Sequence, residues 1–83
     1  MSEVTITMRL YGAFRKYQDQ AVFAVPAGSE IKTVQEKLIA ALGPQSRDLV
    51  LDSVIANDTT ILPADYVIEG NSTLSILPPV CGG

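Results

Sequence analysis

The residues best suited to chemistry occupy the last six positions of the chain, Pro78-Pro79-Val80-Cys81-Gly82-Gly83. Two consecutive prolines fix two φ angles and favour a stiff, extended segment, whereas Gly82 and Gly83 carry no side chain. A stiff base with a bare tip is suited to inserting a terminal carboxylate into a narrow pocket of a partner. A carboxylate is a poor electrophile, but adenylation by ATP on a partner enzyme would make it reactive toward sulfide, a thiolate or an amine. The alternative is a frayed terminus without a function.

Cys81, the only cysteine, lies within this segment. Three interpretations are open. It is a small side chain without a role, or a thiol that forms a transient disulfide or thioester near the activated carboxylate, with a reactivity set by its thiolate fraction. The third interpretation is a metal-binding or nucleophilic residue, which would need groups from a partner because the chain contains no histidine.

Length and composition limit what the rest of the chain can do. With 83 residues, 47% hydrophobic and 18% charged, the sequence predicts one small globular domain with one core. A single Cys and no His exclude an internal disulfide, argue against a zinc or other metal site, and remove the usual general base. We therefore expect a binder, carrier or subunit rather than an enzyme that acts alone.

Charge and hydropathy exclude two kinds of partner. The six basic residues are scattered and outnumbered by nine acidic residues, which argues against nucleic-acid binding. No apolar run is long enough to span a bilayer, and the start of the chain does not have the pattern of a secretory signal. The sequence predicts no membrane association and a cytoplasmic location.

Hydrophobic periodicity predicts the elements that carry the C-terminal segment. Residues 3–10 alternate apolar and polar types and predict a strand, residues 11–17 a bend, and residues 20–25 a second strand that ends at Pro26. A helix follows, with Ser29 as N-cap, Glu30 in its first turn and Gly43-Pro44 as its end. Its predicted apolar stripe consists of Ile31, Val34, Leu38 and Leu42, with Ala41 beside them.

The second half of the chain predicts further short strands. Residues 45–50 are expected to be an irregular connection, 51–56 a strand, 57–60 a turn, 61–62 a very short strand, 69–72 a turn and 73–77 the last strand. This order indicates an α+β domain over residues 1–77, with one main helix on one face of a mixed sheet of four to five strands, followed by a flexible tail over residues 78–83. It is the order of β-grasp, or ubiquitin-like, folds, in which the first and last strands are parallel and central.

The alternation of the first and last strands also predicts a docking face. If Leu10 and Ile76 point at the helix, Tyr11 and Leu77 point away from it, near each other and near the start of the tail. An exposed aromatic residue and an exposed leucine suit a partner interface. The alternative is that Tyr11 caps the core at the bend. Both phenylalanines, Phe14 and Phe23, are predicted to lie in the core.

The C-terminal segment resembles that of the ubiquitin-like sulfur carriers, among them the small subunit of molybdopterin synthase. Leu77-Pro78-Pro79-Val80, followed by one residue and Gly82-Gly83, is the specific part of this resemblance. Residues 6–17 and 55–57 resemble the family's first strand with its bend and its "VN" segment. Residues 68–74 stand where the family has "L-x-D-G-D-E-V", but Asn71 and Ser72 replace two acidic residues. Where the family commonly has a small residue such as Thr, Ser or Ala, this chain has Cys81.

The resemblance implies a β-grasp fold and a role as co-substrate. A ubiquitin-activating-type enzyme would adenylate the carboxylate of Gly83 with ATP, and a sulfurtransferase system would convert it to a thiocarboxylate. The sulfur would pass to a pterin precursor on the larger, catalytic subunit of molybdopterin synthase, within a heterotetramer. Gly82 would be the spacer for threading, and this chain would bind no cofactor itself. The expected partner-binding residues are Tyr11, Leu77, Pro78, Pro79 and Val80.

Other functions use the same carboxylate chemistry. The sulfur could serve thiamin, cysteine, thiolated tRNA or a thioacid metabolite instead of molybdopterin. A ubiquitin-like modifier would be joined through Gly83 to lysines of target proteins. A non-covalent interaction module would not need Gly82 and Gly83 at all.

Overall fold

The computed structural model describes residues 2–79, so the predictions made for Val80, Cys81, Gly82 and Gly83 lie outside the described residues. Residues 2–79 contain seven strands, two α-helices and two short 3₁₀ helices. The strands are β1 (Glu3–Leu10), β2 (Gln20–Pro26), β3 (Ser29–Glu30), β4 (Val54–Ala56), β5 (Ile61–Leu62), β6 (Val67–Ile68) and β7 (Ser72–Leu77); the α-helices are α1 (Ile31–Leu42) and α2 (Arg47–Asp52), and Gly12–Lys16 and Pro44–Ser46 are 3₁₀ helices.

Five of the strands form one mixed sheet in the order β2-β1-β7-β4-β5. The first and last strands, β1 and β7, are parallel neighbours, with Met8 opposite Leu74 and Leu10 opposite Ile76. The other pairs of this sheet are antiparallel. The predicted α+β architecture is therefore confirmed, with β7 at the centre of the sheet and β1 beside it. A separate two-stranded sheet, β3 with β6, was not predicted.

Helix α1 covers one face of the sheet and closes the core. Ile31, Val34, Leu38 and Leu42 are buried as predicted. The prediction for Ala41 is wrong, since Ala41 is exposed and Ile39 is buried in its place. The helix ends at Gly43, whose φ of 106° is reached easily only by glycine and whose N–H donates to the carbonyl of Ile39 at 2.7 Å.

The start of α1 differs from the prediction. Glu30, not Ser29, is the N-cap, and the cap makes no side-chain hydrogen bond within the part of the chain that the structure describes. Ser29 and Glu30 instead pair with Ile68 and Val67, and the Ser29 hydroxyl donates to the carbonyl of Pro26 at 2.6 Å. A two-residue strand replaces the predicted capping turn because its backbone pairs with β6, which is distant in the sequence.

Residues 45–50 are not irregular, as predicted, but helical. Pro44–Ser46 is a 3₁₀ turn that leads into α2, and α2 continues through Asp52, so the strand predicted from residue 51 begins only at Val54. The fully buried Ser46 donates its hydroxyl to the carbonyl of Gly43 at 2.7 Å. Val50, also fully buried, attaches α2 to the core. Neither helix within residues 2–79 has the length and apolarity of a membrane span.

The two phenylalanines differ in burial. Phe14 is fully buried and belongs to the core, as predicted. Phe23 is only half-buried and packs against the margin of the core, so its assignment to the interior was too strong. Ala21 and Val25, on the same face of the edge strand β2, are buried, so the larger side chain of Phe23 is the one that the core does not fully cover.

Candidate functional site

The C-terminal segment leaves the sheet at the end of its central strand. β7 ends at Leu77, and its neighbour β1 ends at Leu10, which lies opposite Ile76. Tyr11 and Leu77 each follow this last register pair, so the parallel pairing brings both residues to the same end of the sheet. They are exposed to similar extents, 40% and 39%. Both side chains are thus available to a partner beside the start of the tail.

The structure decides between the two positions considered for Tyr11. The core space at the bend is filled by Phe14, which is 0% exposed, and Tyr11 lies outside the core cluster. The backbone of Tyr11 is extended, with φ −124° and ψ 162°, and its carbonyl accepts the N–H of Phe14 at 3.1 Å. Tyr11 therefore continues the line of β1 before the chain turns into the 3₁₀ helix.

Gly12 positions the first proline of the tail. Its φ is +57°, in the left-handed region, and a Cβ at this residue would lie 2.6 Å from Cγ of Pro78. Non-bonded carbon atoms prefer separations of about 3.5–4.0 Å, so the site accepts no side chain while Pro78 stays in place. Pro78 is half-buried against this backbone, whereas Pro79 is exposed. The bend after β1 therefore holds the base of the tail, a role for Gly12 that was not predicted.

The helix-free face of the sheet is apolar near the tail. Val54 on β4 lies opposite Leu77, and Ile61 on β5 lies opposite Ala56, itself opposite Ser75. Val54 is 41% exposed and Ile61 59% exposed. We call Tyr11, Leu77, Val54 and Ile61 the tail-base patch. Val54 and Ile61 were missed because they were interpreted only as strand-forming residues, although the pairing of their strands with β7 places them on the face of Leu77.

A shallow basic recess of about 310 Å³ adjoins Tyr11. Arg9 and Arg15 line it together with Asp19. The Arg15 guanidinium lies 4.0 Å from the Asp19 carboxylate, but both side chains are largely exposed, so this ion pair contributes little. The chain as a whole carries a net charge of −3, and this recess is a local exception beside the patch.

Asn71, which replaces an acidic residue of the resembled loop, has a structural role. Its Oδ1 accepts the backbone N–H of Thr5 at 2.7 Å and so connects the segment before β7 with β1. The neutral amide oxygen supplies the acceptor that a carboxylate would supply. Within residues 2–79, no group of three or more Asp, Glu or Cys side chains is arranged to hold a metal ion.

The fold occurs in solved structures of small proteins. SAMP1 of Haloferax volcanii matches with a TM-score of 0.80 and 11% identity, over 95% of this chain and 99% of that one. A Pyrococcus furiosus protein described as subunit 1 of molybdopterin converting factor matches with a TM-score of 0.77 and 17% identity, over 93% and 99%. The HVO 2177 protein of Haloferax volcanii gives 0.77 and 16%, over 98% and 88%.

These comparisons confirm the ubiquitin-like β-grasp fold, and they confirm the resemblance to the sulfur carriers at the level of fold. The identities of 11–17% are too low to carry a function across. No protein-family model and no curated protein matches the sequence.

Proposed function

We propose that this chain is a sulfur carrier whose C-terminus is Gly83 and whose terminal carboxylate is the reactive group. The observation that carries the proposal is the Pro78-Pro79-Val80-Cys81-Gly82-Gly83 segment at the end of the central strand of a β-grasp domain, with its first proline seated on Gly12. The matching folds include a protein described as a molybdopterin converting factor subunit, which supports molybdopterin synthesis as the pathway.

The chemistry is divided between this chain and its partners. A carboxylate oxygen of Gly83 attacks the α-phosphorus of ATP on a ubiquitin-activating-type enzyme, and pyrophosphate leaves. Hydrosulfide then attacks the acyl carbon and AMP leaves, which gives the thiocarboxylate. Where the persulfide of a sulfurtransferase attacks instead, the product is an acyl disulfide, and a thiol cleaves its S–S bond to release the thiocarboxylate. The thiocarboxylate sulfur forms a bond to a pterin precursor on the larger subunit of molybdopterin synthase, and water then cleaves the acyl–sulfur bond, which leaves the sulfur on the pterin and restores the carboxylate. The side chain of this last residue is a hydrogen atom, so the acyl carbon is open to attack.

The length and composition of the tail suit the delivery of its terminal carboxylate to a site some distance from the domain. Six residues beyond Leu77 span at most about 20 Å when extended. The prolines keep the base of this segment stiff, and Gly82 and Gly83 keep its tip narrow. The tail-base patch would then dock on the partner while the tail enters its active site. An apolar patch around an aromatic residue is the composition typical of interface centres.

The test is an intact-mass measurement of the purified chain. The chain is incubated with ATP, a sulfide source and the adenylating enzyme of the same organism. A mass gain equal to the exchange of one oxygen for one sulfur is expected. A chain without Gly83 is the negative control. A Cys81→Ser variant must still show the gain, because a persulfide on the thiol would instead add a whole sulfur atom.

Three other outcomes distinguish the alternatives. Loading without transfer to the larger subunit of molybdopterin synthase would indicate a carrier for another pathway. Isopeptide conjugates through Gly83 in cell extracts would indicate a protein modifier. No loading by an enzyme that is active on its own carrier, together with full function of a chain lacking Gly82 and Gly83, would contradict the proposal and indicate a non-covalent module.

A further inference from the structure

The edge strand β2 has unpaired backbone groups on one side and carries no charged side chain. Among the described residues, β2 pairs only with β1, and its other side has no strand beside it. No ionisable side chain occurs between Asp19 and Glu30, and residues 21–25 read Ala-Val-Phe-Ala-Val. Val22 is 59% exposed. Edge strands of natural proteins are normally protected by charges, bulges or covering elements, and an apolar edge without a charge is a template for another strand.

Two hydrogen bonds show which backbone groups face the open side. The N–H of Leu10 donates to the carbonyl of Asp19 at 3.1 Å, and the N–H of Ala27 donates to the carbonyl of Ser2 at 3.0 Å. Hydrogen-bonded and non-hydrogen-bonded pairs alternate in an antiparallel ladder. The residues of β2 that bond to β1 are therefore Ala21, Phe23 and Val25. The N–H and C=O groups of Gln20, Val22 and Ala24 point to the open edge.

The backbone carbonyls at both ends of this edge already accept hydrogen bonds from side chains. The carbonyl of Gln20 accepts the side-chain amide of Gln18 at 2.8 Å. Pro26 has no N–H, and its carbonyl accepts the Ser29 hydroxyl at 2.6 Å. Within residues 2–79, the groups of this edge without a partner are thus the N–H of Gln20 and both backbone groups of Val22 and Ala24, three donors and two acceptors.

We propose that β2 pairs antiparallel with β2 of a second copy of this chain, across a two-fold axis that passes through Phe23. In this register Val22 of one copy bonds to Ala24 of the other. The N–H of Gln20 meets the carbonyl of Pro26, whose two lone pairs would then accept both this N–H and the Ser29 hydroxyl. The only missing donor is that of Pro26, and it falls opposite the Gln20 carbonyl that Gln18 already satisfies. Every open group of the edge is paired.

The two neighbouring registers are less favourable for different reasons. Shifting the axis to Ala24 places Pro26 opposite Val22, whose carbonyl then has no donor. Shifting it to Val22 keeps the number of backbone hydrogen bonds, with the Gln20 carbonyl shared between Gln18 and Ala24, but places Phe23 opposite Ala21 instead of opposite a second Phe23. The pairing of Phe23 with its own copy therefore favours the axis at Phe23 over the axis at Val22.

Side chains and charge support the same partner. The axis brings the half-buried Phe23 opposite its own copy in a non-hydrogen-bonded pair, where cross-strand side chains approach most closely. Two chains of net charge −3 meet along a segment without charges, which avoids direct repulsion at the contact. Because the two sheets run antiparallel, the two β7 strands end, at Leu77, at opposite ends of the ten-stranded sheet.

The test uses the full-length chain under reducing conditions. Sedimentation equilibrium over a hundredfold concentration range should show a mass that rises from one chain toward two. Amide hydrogen exchange by NMR should show that Val22 and Ala24 become protected as concentration rises, whereas Ala21, Phe23 and Val25 are protected throughout. A single-chain mass up to about 1 mM would overturn the proposal. So would a dimer in which the Val22 and Ala24 amides stay unprotected.

A matched pair of variants tests the contribution of the Ala24 N–H, which points to the open edge, to dimerisation. Ala24→Pro removes an N–H that the β1–β2 ladder does not use, so the monomer should fold, whereas the dimer loses two hydrogen bonds and its dissociation constant should rise at least about tenfold. Ala24→Thr keeps the N–H and should retain the wild-type dissociation constant. Cooperative melting of both variants as monomers is the folding control. Equal dimerisation by the two variants would overturn the proposal.

Discussion

Replacing Gly12 with alanine should separate the anchoring of the tail from the stability of the domain. Two costs are expected. Alanine in the left-handed region costs about 1–2 kcal/mol, and the loss of glycine's freedom in the unfolded chain returns about 0.4–1 kcal/mol, so the backbone cost is about 1 kcal/mol. The second cost is the contact with Pro78, because the new Cβ would lie 2.6 Å from its Cγ.

That contact is about 1 Å shorter than carbon atoms tolerate. The proline ring cannot rotate away without moving the backbone, so overpacking adds about 1–3 kcal/mol unless the base of the tail shifts. For a domain of this size each kcal/mol lowers the melting temperature by about 4–8 °C. A shift of about 1 Å at the base would also misdirect the tail, for which a loss of tenfold or more in the rate of sulfur loading is expected.

Gly28→Ala is the matched control. Gly28 also has a positive φ, of 90°, but among the described residues no atom lies within 4 Å of its Cβ position. Gly28→Ala should therefore lose about 1 kcal/mol and load sulfur at the normal rate. Thermal denaturation measures the first quantity and the intact-mass time course the second.

A double variant tests the mechanism. Pro78→Ala removes Cγ and Cδ, and the remaining Cβ is 3.9 Å from the position of the new methyl group. In the Gly12→Ala background it should restore the stability lost to the contact, leaving only the backbone cost. The reasoning is refuted if Gly12→Ala and Gly28→Ala have equal effects on melting and loading, or if Pro78→Ala gives no recovery.

Three further predictions follow from burial and exposure. Tyr11→Asp should weaken binding to the adenylating enzyme at least about tenfold, as measured by titration calorimetry, and should retain a cooperative thermal transition. Tyr66→Asp is the control, because Tyr66 is exposed to a similar extent, 41%, and this variant should bind normally. Phe14→Ala removes a fully buried ring and should cost about 3–5 kcal/mol in chemical denaturation, enough to unfold much of the population. Ser46→Ala loses the hydrogen bond to the Gly43 carbonyl and should cost about 1 kcal/mol by the same measurement.

The parts of the fold that the sequence predicts are those with a long periodic pattern. The eight residues of β1 alternate without interruption, and α1 has an apolar residue at every third or fourth position. The positions of Tyr11 and Leu77 could be predicted from the same alternation of residues, because the parallel pairing of β1 with β7 places both residues at one end of the sheet.

The parts that the sequence does not predict are short and depend on distant residues. Six-residue α2 is too short for helical periodicity, and it forms where Val50 can enter the core. β3 and β6 have two residues each and exist only because they pair with each other. The seat of Pro78 on Gly12 joins residues 66 positions apart, and nothing local to either residue indicates the contact.

The parallel pairing of β1 with β7 has a mechanical consequence. The start of β1 at Glu3 and the end of β7 at Leu77 lie at opposite ends of the pair. Tension between the two ends of the chain therefore slides these strands along each other and loads their hydrogen bonds together in shear, instead of opening them one after another. An enzyme that pulls on the tail works against the central ladder of the sheet, and the rate of forced unfolding is set by that barrier. The domain can thus act as a rigid handle under tension applied through Leu77, a property that the insertion of the tail into a partner, as proposed above, would use.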